Sequence, residues 1–203
     1  MTKTKNIVQF ICYNPRIYSG FDNFQVKLTN KLKDHSVQNI LVYSGSLNLQ
    51  NLKNDILNND GIIETISTRN LWQIIWDLVR IFIKYKPSVV HTHFDNRIHL
   101  LVALIAFFSR TSFYFSFWSE LTHLKRHEYI KKKGIIKYIL LRSYYTFLVL
   151  VSRKGLMGSN ALRSQFMELY PAKNSKILTF YLGTEIYSNS KRIDSLREYS
   201  GFQ

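Results

Sequence analysis

The 203-residue sequence has few of the residues that define several common protein classes. It contains one cysteine, three prolines and eight glycines. A single cysteine excludes a disulfide framework and is typical of a reducing compartment such as the cytoplasm. The low proline and glycine content argues against a fibrous or low-complexity chain. Hydrophobic residues make up 46% of the sequence, which is enough to build a core, so global disorder is not expected.

Acidic residues are also scarce compared with basic ones. Thirteen Asp and Glu stand against 28 Lys and Arg, which gives a formal net charge of +15. The electrostatic field of such a positive charge favours an anionic partner, whether a nucleic acid, an anionic lipid surface or a phosphorylated ligand. No recognised nucleic-acid-binding motif accompanies the charge, so we expect no nucleic-acid partner.

Long uncharged apolar runs are missing as well. The two most apolar stretches, residues 99–118 and 135–151, are interrupted by Arg110 in the first and by Lys137 and Arg142 in the second. A membrane-spanning helix needs about 20 largely uncharged residues. Each stretch is therefore interpreted as a buried helix that leads into a buried strand.

Continuous apolar strands alternate with amphipathic helices along the chain. The expected strands are Asn6–Cys12, Asn39–Tyr43, Ile62–Ile66, Ser88–Thr92, Ser112–Phe117, Thr146–Val151 and Lys176–Tyr181. The expected helices are Phe21–Lys33, Leu71–Tyr85, Arg97–Phe108, Ile135–Tyr145 and Ala161–Leu169. This alternation predicts a single doubly wound α/β domain, Rossmann-like, whose mostly parallel sheet is covered by helices on both faces. We expect the domain to occupy residues 1–183 and a linker or tail to occupy residues 184–203.

Two histidines lie two residues apart in the stretch Lys86–Phe94 (KPSVVHTHF). On a strand, His91 and His93 point to the same face and could share a metal ion. A zinc site needs a third protein ligand at a recognisable spacing, and none completes such a pattern, so we expect no metal. Ligands of open parallel sheets bind at the carboxyl ends of the strands, where His93 and Asp95 are expected. We therefore predict that His91 is a core histidine and that only His93 reaches a crevice.

Four motifs occur in a characteristic order along residues 6–187. They are Tyr18-Ser19-Gly20-Phe21-Asp22-Asn23, Pro87-Ser88-Val89-Val90-His91-Thr92-His93, Val149-Leu150-Val151-Ser152 and the stretch 176–185 (KILTFYLGTE). Together they resemble the amino-terminal, acceptor-side domain of family 4 glycosyltransferases, which are retaining enzymes of the GT-B fold. Ser152 also has a purely structural interpretation, in which it ends a strand and caps the next helix.

The resemblance implies a function and a set of site residues. It implies transfer of a sugar from a nucleotide sugar, with no other cofactor, to a membrane-associated glycolipid or a surface polysaccharide intermediate. Ser19, Gly20, His93 and Asp95 would line the substrate cleft. Trp118 stands where the family has a sugar-contacting histidine, and an indole cannot accept the hydrogen bonds that an imidazole accepts. The resemblance does not identify the catalytic residues.

The family keeps its nucleotide-sugar site in a carboxyl-terminal domain with a Glu-x7-Glu motif. Glu120 and Glu128 have that spacing, but their surroundings lack the glycines that let the backbone approach a phosphate. We therefore expect this chain to be inactive without a second domain or a second glycosyltransferase subunit. The rival interpretation is a non-catalytic basic α/β module that docks on an anionic membrane or on a partner protein.

A basic stretch, Lys125–Arg142, holds seven basic residues and one acidic residue among isoleucines and tyrosines. One interpretation is a solvated helical face whose Lys and Arg stems lie over the domain. The other is attachment to an anionic bilayer through Lys131, Lys132, Lys133 and Lys137. The second interpretation predicts a cytoplasmic protein that is peripheral at the inner face of the membrane.

Overall fold

The computed structural model describes residues 5–11, 15, 17–67, 70–93, 98–118, 134–170 and 175–180. Within them lie seven strands: β1 (Lys5–Ile11), β2 (Val37–Ser44), β3 (Ile62–Ile66), β4 (Val89–His93), β5 (Ser112–Phe117), β6 (Lys154–Met157) and β7 (Ile177–Thr179). The same residues contain six helices: α1 (Gly20–Asp34), α2 (Gln50–Asn58), α3 (Leu71–Tyr85), α4 (Ile98–Phe108), α5 (Ile135–Val151) and α6 (Asn160–Leu169).

The strands form one parallel sheet in the order β3-β2-β1-β4-β5-β6-β7. The predicted doubly wound α/β domain is thus confirmed. The chain moves outward from β1 to β3 and then returns across the sheet to β4, which pairs with the other side of β1. The carboxyl ends of β1 and β4 therefore form the switch point at which sheets of this kind bind ligands.

Helices cover both faces of the sheet. Phe21 of α1 and Ile56 of α2 pack with Leu41 of β2 in the smaller core. The larger core contains buried residues from α3, α4, α5 and α6, together with strand residues such as Phe10 and Phe115. Because side chains alternate across a strand, apolar strands can supply both cores. Among the described residues, no helix is long and apolar enough to cross a membrane.

The strand predicted at Thr146–Val151 is wrong. These residues form the last turns of α5, which buries Tyr138, Tyr145, Leu148 and Val149. A continuous apolar run fits a buried helix as well as a buried strand, so the pattern alone did not decide between them. The real strand is β6, which begins three residues after the end of α5.

The predicted role of Ser152 is also wrong. Ser152 is buried at the end of α5, and its Oγ donates to the carbonyl of Val149 at 3.2 Å. The strand-to-helix turn expected there lies instead after β6, where Ser159 caps α6 by accepting from the backbone N–H of Leu162 at 3.1 Å. The part of the resemblance that residues 149–152 carry therefore does not hold in the structure.

Candidate functional site

The amino terminus of α1 and the end of β4 meet at the carboxyl edge of the sheet. Ser19 caps α1, and its Oγ accepts from the backbone N–H of Asp22 at 3.3 Å. The buried Asp22 carboxylate accepts from the backbone N–H of Ser19 at 2.9 Å and from its hydroxyl at 2.6 Å. This reciprocal capping places a carboxylate at the positive end of the helix dipole. Ser19 and Gly20 themselves stay exposed at this carboxyl edge of the sheet.

His93, at the end of β4, is fully buried and hydrogen-bonded through both ring nitrogens. Its Nε2 lies 2.8 Å from Gln9 Oε1, and its Nδ1 lies 2.9 Å from Ser116 Oγ. Because an amide oxygen only accepts, Nε2 carries the proton and Nδ1 accepts from the Ser116 hydroxyl. The ring is therefore a neutral imidazole fixed in one tautomer.

The hydrogen bonds of His93 continue along the sheet into α1. Gln9 Nε2 donates to Asn39 Oδ1 at 2.9 Å, and Asn39 Nδ2 donates to Thr29 Oγ1 at 2.8 Å. The Thr29 hydroxyl in turn donates to the backbone carbonyl of Gln25 at 2.7 Å. Buried polar groups cost free energy unless they are paired, so this network favours one arrangement of β1, β2, β4, β5 and α1.

Protonation of the two β4 histidines is disfavoured. Burial, and then the neighbouring charge of His99, lowers the pKa of His91 to about 3. Burial, followed by His91 and His99, also holds the pKa of His93 well below its ordinary value. The ring centroids of His91 and His93 lie 3.9 Å apart, so a charge on one opposes a charge on the other. Both rings are therefore neutral at about pH 7, and neither histidine is suited to act as a general acid there.

Aromatic rings cover His93. The ring of Phe21 meets it edge-on at 5.0 Å, and Trp118 stacks beside it at 6.4 Å between centroids. Trp118 is half-buried, packs close to Gly158, and contacts Phe180 at 6.0 Å between centroids. The indole thus lies near the carboxyl ends of β4, β5 and β6.

Two buried polar atoms in this region have no hydrogen-bond partner within the described part of the chain. They are Trp118 Nε1, which only donates, and Gln25 Oε1, which only accepts. Gln25 Nε2 lies 3.4 Å from His93 Nε2, which already donates to Gln9. Unpaired buried polar atoms are unusual, and both of these atoms are enclosed by the chain itself.

The structure brings together some of the residues predicted for the site. Ser19 and Gly20 lie exposed at the carboxyl edge of the sheet, and Trp118 lies beside His93. The expected exposure of His93 is wrong, because its side chain is fully buried; His91 is half-buried, and its Nε2 is enclosed. The substrate-binding roles of these residues stay predictions.

Other predicted residues lie elsewhere or outside the described part of the chain. Lys137 is exposed on α5. Asp95, Lys131, Lys132, Lys133, Glu120, Glu128 and the predicted tail at residues 184–203 lie outside the described residues. Among the residues that the structure does describe, no group of three or more His, Cys, Asp or Glu side chains is placed to hold a metal ion.

Sequence reasoning missed Gln9 and Ser116, the two direct partners of His93. A signal was present, because each is a polar residue inside an otherwise apolar strand, in KNIVQFI and SFYFSF. A polar side chain in a buried strand needs a partner, and a histidine on a neighbouring strand is a natural one.

Comparison with known proteins identifies the class of fold. No family model matches the sequence, and no curated protein matches it. HepE from Anabaena, crystallised with UDP and glucose, superposes with a TM-score of 0.59 and 11% identity over 96% of this chain and 50% of HepE. A Rickettsia africae glycosyltransferase superposes with a TM-score of 0.58 and 14% identity over 97% of this chain and 49% of its own. Neisseria meningitidis UDP-GlcNAc 2-epimerase, bound to UDP-GlcNAc, superposes with a TM-score of 0.56 and 10% identity over 86% of this chain and 46% of the epimerase.

These likenesses show that the chain has one Rossmann-like half of a GT-B fold. It spans about half the length of the structures it matches. At such low identity the likeness carries the fold and not the activity, because one fold hosts many functions. Membership of glycosyltransferase family 4 does not follow from it.

Proposed function

We propose that this chain is the acceptor-side half of a GT-B glycosyltransferase. It takes part in retaining transfer of a sugar from a nucleotide-sugar donor, which a second domain or subunit binds. The acceptor is a membrane-associated glycolipid or a surface polysaccharide intermediate. The observation that carries the proposal is the GT-B half-fold over nearly the whole chain, with an aromatic and partly unpaired polar cluster at its switch point.

The switch-point cluster fits the acceptor role better than the donor role. Asp22 already occupies the amino terminus of α1, so that terminus is poorly suited to a donor phosphate. The half-buried ring of Trp118 suits a sugar, which has apolar faces that pack on an aromatic ring. In this proposal His93 holds the strands together and supports the Trp118 ring, which contacts the sugar.

The test reconstitutes the enzyme. The chain is mixed with a candidate second half that carries Glu-x7-Glu, and transfer from radiolabelled UDP-sugars to a lipid extract is measured. We expect transfer by the mixture and none by this chain alone. Trp118→Ala should lower transfer strongly without changing donor binding by the second half. Turnover by the isolated chain, or full activity of Trp118→Ala, would contradict the assignment.

A membrane site is proposed on α5. The helix has no acidic residue, and it exposes Ile136 at 72% and Leu140 at 64% beside Lys137 and Arg142. Along the helix runs a groove of about 500 Å³, which Ile135, Ile139, Arg142 and Leu150 help to line. Apolar side chains among basic residues, without carboxylates, suit the surface of an anionic bilayer.

Vesicle sedimentation tests this site. The wild-type chain should pellet with phosphatidylglycerol vesicles at low salt and much less with phosphatidylcholine vesicles. Changing Lys131, Lys132 and Lys133 to Glu should weaken binding by about a hundredfold, since each basic residue contributes about 1 kcal/mol. The matched control changes Lys27, Lys31 and Lys33 to Glu; they lie on α1, which packs on the opposite face of the sheet. If both variants lose vesicle binding equally, binding depends only on the net charge of the chain and not on this site.

The same α5 surface favours the second candidate function, a non-catalytic module that docks on the membrane or on a partner protein. The two functions differ in one result. A docking module would bind vesicles normally and would give no transfer with any Glu-x7-Glu partner.

A further inference from the structure

A second cleft lies at the outer side of β3, the strand at the end of the sheet farthest from β7. It encloses about 760 Å³, within the range of about 300–1,000 Å³ that is usual for small-ligand sites. Lys53 of α2 lines one wall, and Gln73, Trp76 and Arg80 of α3 line the other. Thr65 of β3 lies between the walls. None of these residues belongs to the polar and aromatic cluster at the switch point.

Contacts within the chain fix the shape of this cleft. Asp77 Oδ2 accepts from the backbone N–H of Ser67 at 2.9 Å, which ties the segment after β3 to α3. Arg80 Nη2 lies 3.9 Å from the other oxygen of Asp77 and 3.6 Å from Glu64 Oε2. The half-exposed guanidinium is therefore positioned at the cleft by two carboxylates.

Trp76 stands at the cleft with 71% of its surface exposed. An indole of this exposure presents a large, flat apolar face at the cleft, on which a ligand ring can stack. The groups around it both donate and accept hydrogen bonds, because Gln73, Asp77 and Arg80 line the same cleft.

We propose that this cleft binds an oligosaccharide, with one sugar ring stacked on Trp76 and its hydroxyls bonded by Gln73, Asp77 and Arg80. A sugar ring has an apolar C–H face for the indole, and its hydroxyls both donate and accept. A lipid chain would leave the polar groups of the cleft unpaired, which is costly. The proposal concerns binding alone and does not rest on sugar transfer by this chain, so either can fail without the other.

The test is an NMR titration of the ¹⁵N-labelled chain with maltohexaose, chitohexaose and a hyaluronan hexasaccharide. At least one of them should shift the Trp76 indole N–H and the backbone signals of the cleft. Trp76→Ala should weaken that binding by about tenfold, as loss of one stacked ring predicts. The matched control is Trp72→Ala, because Trp72 lies one turn earlier on α3, is 80% exposed, and does not line the cleft. It should bind as the wild type does.

Gln73→Ala provides a second variant, since Gln73 is exposed and its loss should not affect folding. It should weaken binding severalfold and leave the circular dichroism spectrum unchanged. The proposal is overturned if no hexasaccharide shifts the Trp76 signal at millimolar concentration. It is also overturned if Trp72→Ala weakens binding as much as Trp76→Ala, which would indicate a generic apolar surface.

Discussion

Acidification should destabilise this protein through the two neighbouring histidines of β4, and His93→Gln should remove about half of that effect. Burial lowers the pKa of both His91 and His93 in the folded chain, to about 3 for His91. The unfolded chain therefore binds more protons than the folded chain once the pH falls below about 6.5. The histidine contribution to stability is complete above that pH and is lost as the pH falls toward the folded pKa.

The size of the loss follows from the linkage between protonation and folding. Each pH unit between the unfolded pKa of about 6.5 and the assay pH costs about 1.36 kcal/mol per histidine. At about pH 5 each neutral buried histidine costs about 2 kcal/mol, so the pair costs about 4 kcal/mol, against a usual total stability of about 5–15 kcal/mol. Glutamine at position 93 can still donate to Gln9 and accept from Ser116, so these hydrogen bonds can survive while the titration does not.

The assay is urea unfolding followed by circular dichroism at about pH 7.5 and at about pH 5, which brackets the unfolded histidine pKa. The difference between wild type and His93→Gln cancels the carboxylates that both proteins share. The matched control is His35→Gln, because His35 lies exposed at the end of α1, and it should keep the wild-type pH dependence. If His93→Gln loses as much stability on acidification as the wild type, the assignment of a neutral, buried imidazole at position 93 is incorrect.

Three substitutions test contacts elsewhere in the domain by the same unfolding assay. Ser159→Ala should cost about 1 kcal/mol, because it removes the side-chain cap of α6. Lys176→Met should cost about 1–2 kcal/mol, because the ammonium donates to three carbonyls at the end of α5, the nearest at 2.8 Å. Gly155→Ala should cost about 1–3 kcal/mol, because its new methyl would lie 2.5 Å from Cζ of the buried Phe115 ring, whereas Gly20→Ala, with open space around it, should cost little. If a variant keeps the urea midpoint of the wild type, the contact argued for that residue is contradicted.

The fold was predictable where apolar runs are short and clearly bounded. Strands β3 and β5 coincide with the predicted ranges; Gly61 and Ser67 flank β3, and Arg110 and Thr111 precede β5. Strand β6 escaped prediction because Gly155 interrupts its apolar pattern, and the structure shows that a side chain there would meet Phe115 and Ile177. Helix α2 also escaped, since Leu49 gives it no side-chain cap to mark its start.

The candidate site was predictable in position but not in detail. The rule that ligands bind at the carboxyl ends of parallel strands directs attention to the switch point, where His93 lies. Exposure could not be read from the sequence, because the burial of His93 depends on Phe21 and Trp118, which come from distant parts of the chain. The hydrogen-bonding partners depend in the same way on strand order, which places β4 between β1 and β5.

The proposed membrane site and the proposed acceptor cleft are linked by the direction of α5. Because β5 and β6 are parallel, α5 must run back from the carboxyl edge of the sheet to the amino edge, so its first turn, with Ile136 and Lys137, lies at the edge that carries Trp118. A bilayer bound there would bring a lipid-linked acceptor to the cleft. In the reconstituted enzyme, Lys137→Glu combined with Ile136→Glu should therefore lower transfer to an acceptor embedded in phosphatidylglycerol vesicles by about tenfold or more. Transfer to a short-chain, water-soluble analogue of the same acceptor should stay unchanged, and equal loss with both acceptors would refute the link.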